Sequence, residues 1–192
     1  IALGMTFVII AGGIDLSVGS LFALSGVCAA LAMQRWGVPL AEATGLSPDA
    51  AGVVAGFAAA MAAALAGSTA NALIVAWGGL PPFIATLGTY SIFRSMALFA
   101  ADSGTLSVSN DMLAKIGSAS VLGLPLPAAV MLIMAALMEL VLAMTVFGRH
   151  VCAVGESERV ARYAGIRVRA VKFATYLIPG ICIGIGAFLF LG

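Results

Sequence analysis

The chain contains six apolar runs that are long enough, or nearly long enough, to cross a lipid bilayer. They occupy residues 1–13, 17–34, 51–77, 82–101, 127–147 and 171–191. A membrane-spanning helix needs about 20 apolar residues, whereas the strands of a transmembrane barrel are shorter and alternate every second residue. These runs are continuous and rich in Ala, Leu and Met. They predict an all-α fold, a polytopic transmembrane helical bundle.

The composition requires that most of the surface of such a bundle faces lipid. The 192-residue chain is 62% hydrophobic and only 9% charged, whereas soluble domains are about 45–50% apolar and about 25% charged. The net charge of +1 argues against nucleic acid as a partner, because phosphate binding needs a clustered basic surface. The lipid bilayer is therefore the first partner that the sequence predicts, and no nucleic acid is expected.

The segment between the first two apolar runs, residues 12–20, reads GGIDLSVGS. Glycines permit unusual dihedral angles and close backbone approach. A carboxylate inside hydrophobic sequence is costly in lipid unless the protein satisfies it. The segment therefore predicts an interrupted first hairpin. Either Asp15 or Ser17 can cap the following helix. Two interpretations stay open for Asp15: it is only a helix cap, or the break lines or gates a transport pathway.

The distribution of basic residues predicts the orientation of the bundle. Six of the nine Lys and Arg residues lie in residues 148–172, whereas the segments 35–50 and 102–126 hold one each. Because cytoplasmic loops of membrane proteins are enriched in Lys and Arg, residues 148–171 are predicted to be cytoplasmic. The two basic-poor segments then lie outside, and the break at residues 12–20 lies inside or part-way into the membrane.

Two further polar side chains lie within predicted spans. Arg94 is about twelve residues into its run, and an arginine at that depth must snorkel, pair or face a cavity. A pair with Asp15 is not expected, because helical rise places Arg94 about 18 Å from the inner side. Asn71 lies in a run rich in small residues, 51–77, where closely packed helices can form hydrogen bonds between them.

The cytoplasmic segment 155–165 has the pattern of a short capped helix. Ser157 is a candidate N-cap, the acidic residues lie near the start, the arginines follow, and Gly165 can end the helix. A helix this short is marginal in water alone, so either its own bundle or a groove on a partner must hold it. The alternative is that the basic segment is only a topology signal.

No combination of residues typical of an enzyme is present in the sequence. The chain has one histidine, His150, and no cysteine or histidine spacing typical of a metal site. The Gly12-Gly13 pair is not followed by the lysine and hydroxyl residue of a phosphate-binding loop. The chain is therefore predicted not to be an enzyme and to bind neither cofactor nor metal, so any ATP hydrolysis belongs to another subunit.

Four blocks of sequence, in the same order across nearly all of the chain, resemble the membrane permeases of ribose, xylose and other simple-sugar ABC importers. They are residues 4–10, 12–26, 82–94 and 147–166, and they include PFIATLGT from Pro82 and FGRHV from Phe147. Three residues depart from the usual pattern, namely Ala72, Ser95 and Glu156. They leave the substrate open.

The resemblance implies a permease subunit of an ATP-driven importer in the bacterial inner membrane. It implies one permease domain, residues 1–192, as a fragment that lacks an N-terminal span and C-terminal spans, with residues 148–171 as its cytoplasmic coupling loop. A second permease copy would complete the pathway, a cytoplasmic ATPase subunit would bind ATP, and an extracytoplasmic sugar-binding protein would deliver the substrate.

The resemblance also assigns residues to two sites. The translocation core is expected to contain Gly12, Gly13, Asp15, Ser17, Gly19, Ser20, Asn71, Thr86 and Arg94. The ATPase-coupling loop is expected to contain Gly148, Arg149, Gly155, Glu158, Ala161, Arg162 and Gly165. Replacement of Gly155 or Arg162 is expected to uncouple transport without preventing membrane insertion.

Three alternative functions stay open. The first is a permease of the same class for branched-chain amino acids or another small polar solute. The second is an ion-driven secondary transporter, which would be favoured by paired intramembrane carboxylates and inverted repeats. The third is a structural membrane subunit, which the interrupted hairpin and the capped basic segment disfavour.

Overall fold

The computed structural model of the chain describes residues 1–121 and 123–192. In chain order the elements are α1 (Ala2–Ile10), α2 (Val18–Thr44), α3 (Pro48–Ala76), α4 (Pro82–Ala100), α5 (Asp111–Ser118), β1 (Ser120–Val121), β2 (Leu124–Pro125), α6 (Leu126–Met144), α7 (Val146–Glu156), α8 (Glu158–Tyr163) and α9 (Val168–Leu189). The predicted all-α fold is confirmed. Within the described ranges the only sheet is the antiparallel pair β1–β2, with two residues on each strand.

Five of the described helices are long and apolar enough to cross a membrane: α2, α3, α4, α6 and α9. The run 1–13 forms the shorter helix α1, which packs beside α9. Helix α6 has no buried residue, and large apolar side chains on it, such as Met131 and Ile133, are more than half exposed. A soluble protein would not leave so much apolar surface uncovered, so lipid or further protein covers this surface.

The two tryptophans indicate where the bundle meets the membrane surfaces. Trp36 and Trp77 are both more than half exposed. Trp36 lies beside the point where Gly37 of α2 approaches Gly52 of α3, and Trp77 follows 25 residues later along α3, about 37 Å at helical rise. This length matches a hydrocarbon core of about 30 Å with its interfacial layers, where tryptophan is enriched. We call the Trp77 end, which carries residues 148–172, the basic side.

The apolar runs predicted that residues 35–50 form a connection between two spans, but most of this segment is helical. Helix α2 continues to Thr44, α3 begins at Pro48, and only residues 45–47 are non-helical. Apolar runs mark the part of a helix that lies in lipid, whereas residues 35–44 contain helix formers such as Leu40 and Ala41 that extend the helix beyond it. Gly45, with a φ of 73°, ends α2, and the Ser47 Oγ accepts the Ala50 amide at 3.3 Å to start α3.

Small residues hold α3 between its neighbours, as the sequence predicted. The side of α3 that faces α2 carries Gly56 and Gly67, and a Cβ atom added at either would collide with the side chain of Met33 or Leu21. On another side of α3, Ser68 fits against Gly180 of α9. Because α2 and α9 make the two most extensive helix contacts with α3, α3 is the central helix of the bundle.

The structure confirms the predicted short capped helix as α8, with Ser157 as its N-cap, and it places the residues before Ser157 in α7. Gly155 belongs to the last turn of α7, and α8 begins only after Ser157. Ser157 has extended backbone, with φ −160° and ψ 110°, and its Oγ accepts the Val160 amide at 3.4 Å. A residue in this conformation caps a new helix and cannot continue the old one, which is why the segment splits there. Gly165, with φ 80°, lies just after α8, as predicted.

Candidate functional site

The segment between α1 and α2 is not helical, and its two adjacent glycines have different structural roles. Gly12 has a φ of 77°, in the left-handed region that glycine tolerates. The Gly13 amide donates to the Val8 carbonyl at 2.8 Å. A Cβ atom at Gly13 would lie 2.8 Å from the Tyr176 hydroxyl of α9. The first glycine therefore turns the chain, and the second lets the turn pack against α9. We call residues 11–17 the break loop.

The Asp15 carboxylate is the centre of a buried polar cluster. Its Oδ1 accepts hydrogen bonds from the Ser17 amide at 2.8 Å and the Ser17 hydroxyl at 2.6 Å. Asn71 of α3 donates from Nδ2 to the Ser17 Oγ at 2.7 Å and to the Asp15 Oδ2 at 3.4 Å. Asp15 is 6% exposed, and Ser17 and Asn71 are fully buried. The carboxylate thus ties the break loop to α3.

Asn71 keeps one unused hydrogen-bonding position in this cluster. Its amide oxygen is buried and accepts no hydrogen bond from the described residues. The predicted cap is also modified, because Ser17 makes no side-chain cap bond to α2. Its hydroxyl instead donates to Asp15, while the Ser20 Oγ donates to the Ser17 carbonyl at 2.8 Å. Asp15 therefore binds Ser17, the N-cap residue of α2, and accepts no hydrogen bond from the amides in the first turn of α2.

Two further backbone groups of the break loop bond to α4 and α9. The Leu16 amide donates to the Thr86 Oγ1 at 3.2 Å. The Ile14 carbonyl lies 3.3 Å from the same hydroxyl and accepts from the Tyr176 Oη at 3.4 Å. Non-helical backbone at membrane depth persists only where protein or a wet cavity satisfies it. Here α4 and α9 bond to backbone groups of the loop, whereas α3 bonds to its Asp15 and Ser17 side chains.

The positions of these partners place the break loop part-way into the membrane from the basic side. Asn71 lies five residues before the end of α3, Thr86 lies four residues after the start of α4, and Tyr176 lies eight residues after the start of α9. At 1.5 Å per residue these offsets are roughly 6 to 12 Å. A polar, non-helical turn at this depth is the arrangement that transporters use beside a pathway.

The structure does not bring every predicted residue into this cluster. Arg94 is exposed on α4, eight residues beyond Thr86, and its Nη1 lies 3.4 Å from the Tyr90 hydroxyl. Among the described residues no ion pair joins it to Asp15. Gly19 is also exposed, and nothing lies within 4 Å of a Cβ atom placed there. Roles for Arg94 and Gly19 in a pathway stay predictions.

The part of the predicted ATPase-coupling loop that lies on α7 contacts α1, the helix that leads into the break loop. The rings of Phe7 in α1 and Phe147 in α7 stack with centroids 6.2 Å apart. Gly155 packs so closely on the end of α1 that a Cβ atom there would overlap the Ile10 carbonyl. Val151 and Val154 of α7 belong to the same buried core. Ile10 immediately precedes the break loop. The contact between α7 and the end of α1 is therefore directly next to the loop.

Two residues of the predicted coupling loop, Gly148 and Arg149, lie in the first turn of α7. The Thr145 Oγ1 accepts the Gly148 amide at 3.1 Å and caps the helix. A Cβ atom at Gly148 would overlap the Leu142 carbonyl of α6, so this glycine permits the tight bend between α6 and α7. Arg149 is exposed.

Helix α8 is anchored by one buried residue and a pair of ionic contacts. Ala161 is 2% exposed and packs in the core that contains Phe7 and Val151. Glu158 contacts Lys172 of α9 at 2.5 Å and Arg162, one turn later in α8, at 3.5 Å. The opposite residues Val160 and Tyr163 are 63% and 85% exposed. This face of α8 is free within the described chain.

The ion pair between α8 and α9 leads to a stability prediction. We expect E158Q and K172Q each to lower the free energy of unfolding, with a coupling energy of about 0.5–1 kcal/mol, because both side chains are partly exposed and screened. A double-mutant cycle on thermal unfolding in detergent measures this coupling. E156Q is the matched control, because no described ion pair includes Glu156. A coupling energy of zero would show that the contact does not hold α8 to α9.

Comparison with known proteins decides the family. The family model described as "Branched-chain amino acid transport system / permease component" matches residues 1–191. The chain belongs to this family.

Three relatives show how far the similarity of this permease-family chain extends. It is 33% identical to the D-allose transport system permease protein AlsC of Escherichia coli (strain K12), over 96% of this chain and 53% of that protein. It is 36% identical to the ribose import permease protein RbsC of Bacillus subtilis (strain 168), over 94% of this chain and 52% of that protein. It is 30% identical to the galactofuranose transporter permease protein YtfT of Escherichia coli (strain K12), over 98% of this chain and 51% of that protein.

The chain thus spans about half the length of the curated relatives it matches. No solved structure shows a significant match to it. Membership of a permease family, together with five apolar helices in the described residues, makes the protein a multi-pass protein of the bacterial inner (plasma) membrane. The resemblance noted from the sequence blocks is confirmed.

Proposed function

We propose that the chain is part of the permease subunit of an ATP-driven importer that moves a simple sugar across the bacterial inner membrane. The observation that carries the proposal is the buried polar break loop at membrane depth, which α7 contacts directly at Gly155. A structural subunit needs no such interruption, whereas a transporter needs an element that differs between its states.

The substrate class comes from the names of the relatives. The relatives are named as permeases for D-allose, ribose and galactofuranose, and another, 30% identical, is named as an autoinducer 2 import permease. The family description mentions branched-chain amino acids, so leucine is the appropriate competing substrate.

The proposed mechanism assigns a separate task to each region. A cytoplasmic ATPase subunit docks on the exposed face of α8 around Val160 and Tyr163, and it carries the ATP. Its movement is passed through Gly155 and Ile10 to the break loop. An extracytoplasmic sugar-binding protein delivers substrate on the opposite side, where Asn110 at the start of α5 lies against Gly52 of α3. A second permease copy completes the pathway, to which Gly12, Asp15, Thr86 and Arg94 contribute.

The test is reconstitution of the complete polypeptide with its cognate ATPase and binding protein in proteoliposomes. We expect ATP-dependent accumulation of labelled ribose or allose, and none when the ATPase carries a substitution of its catalytic glutamate. Accumulation of leucine without either sugar would favour the amino-acid permease. Uptake driven by a sodium or proton gradient without ATP would contradict the proposal and favour a secondary transporter.

A further inference from the structure

A groove on the basic side of the bundle shares Glu158 and Arg162 with the predicted coupling loop, but the rest of its lining has no role in the proposed transport mechanism. It lies between the turn that joins α3 to α4, helix α8 and the start of α9, and it consists of two adjoining cavities of about 350 and 430 Å³. We call it the basic groove. Its polar and aromatic lining consists of Trp77, Glu158, Arg162, Arg167, Arg169 and Lys172.

The charges in the basic groove are not balanced. Four basic side chains line it against one carboxylate, that of Glu158. Glu158 is already in contact with Lys172 and Arg162. In residues 1–121 and 123–192, Arg167 and Arg169 form neither an ion pair nor a side-chain hydrogen bond. Two arginines therefore line the cavity with no anion supplied to them by the described chain.

The same groove borders apolar surface at the level where lipid headgroups begin. Trp77 is 51% exposed and packs edge-on against Phe173 at 5.3 Å, which is the interfacial position typical of tryptophan. Leu80 lines the cavity wall, and Phe83, in the first turn of α4, is 52% exposed. A ligand here would meet cations at one end and an apolar wall at the other.

We propose that the basic groove binds an anionic phospholipid of the cytoplasmic leaflet. Arg167 and Arg169 bind its phosphate, since a guanidinium group matches phosphate oxygens in a bidentate geometry. Trp77 lies at the glycerol level, and an acyl chain follows Leu80 and Phe83. A basic pocket between helices on the cytoplasmic side is suited to this class of lipid. The site depends only on the fold and the charge pattern, and it stands whether or not the transported solute is a sugar.

The test uses the complete polypeptide in nanodiscs of phosphatidylcholine doped with cardiolipin or phosphatidylglycerol, followed by native mass spectrometry of the lipids retained. We expect the double variant R167Q/R169Q to bind the anionic lipids about 30-fold more weakly, because each basic residue near a membrane surface contributes about 1 kcal/mol, or about fivefold in affinity. The matched control R149Q/R159Q removes two exposed arginines of the same side that do not line the groove, and it should retain the lipid.

Two results would overturn the proposal. Equal lipid retention by R167Q/R169Q and the parental protein would show that the groove is not the binding site. Displacement of cardiolipin by millimolar inorganic phosphate, with no dependence on acyl chains, would identify a site for soluble anions. Thermal unfolding of each variant in a zwitterionic detergent shows that the fold is intact, because both arginines are exposed and no contact among the described residues requires them.

Discussion

The variant G155A is expected to reduce ATP-dependent transport at least about fivefold while the protein still inserts into the membrane. The added Cβ atom cannot share the position of the Ile10 carbonyl, so α7 must move away from the end of α1. Overpacking of this kind costs about 1–3 kcal/mol. If the cost falls on one of the two transport states, their ratio changes by about 5- to 150-fold. The number of sugar molecules transported per ATP hydrolysed measures the loss directly.

The control for G155A is G26A, which adds the same methyl group to a helix at a position where nothing lies within 4 Å. It should transport at the parental rate. The companion variant V154A loosens the same buried contact instead of overfilling it, and it should also lower the coupling ratio. Normal coupling in G155A, with the ATPase still assembled, would show that the contact between α7 and α1 does not transmit movement.

Much of the fold could be predicted because hydrophobic length is a strong local signal. Each long apolar run became a helix, Pro82 began α4 as its fixed φ allows, and the break loop formed where the glycines and Asp15 predicted it. The helix ends at residues 34 and 51 were misplaced because hydropathy reports the lipid-facing length and not the hydrogen-bonded length. The division of α7 from α8 depends on the extended backbone of one residue, Ser157.

The candidate site was only partly visible in the sequence, because its contacts join distant segments. Tyr176 bonds to Ile14 across 162 positions of the chain, and no local spacing connects them. Lys172 likewise was counted only as a positive charge, although it contacts Glu158 of α8. The one available signal was chemical: a polar aromatic residue and a lysine at the start of an apolar helix require partners. Which partners they find depends on how α9 packs.

The variant D15A is expected to lower the free energy of unfolding by about 3 kcal/mol. Without the carboxylate, the Ser17 amide and hydroxyl lose their acceptor inside a closed environment. Each unsatisfied buried donor costs about 1–3 kcal/mol. Thermal unfolding in detergent measures the total loss, and hydrogen exchange of the amides of residues 11–20 shows whether the break loop opens locally. E42A, which removes an exposed carboxylate near the outer end of α2, should unfold as the parental protein does.

Comparison of D15A with D15N separates the two interpretations of Asp15. The amide of D15N keeps an oxygen for the Ser17 donors, but it places an NH2 group opposite the Asn71 Nδ2, so an intermediate stability loss is expected. If Asp15 only holds the helix end, the transport rate per folded molecule in D15N will stay near the parental rate. If the break loop changes between transport states, D15N will transport poorly even when fully folded, because it loses one of the two bonds by which Asn71 ties the loop to α3. Unchanged transport by folded D15N would therefore remove Asp15 from the pathway and leave it a structural role.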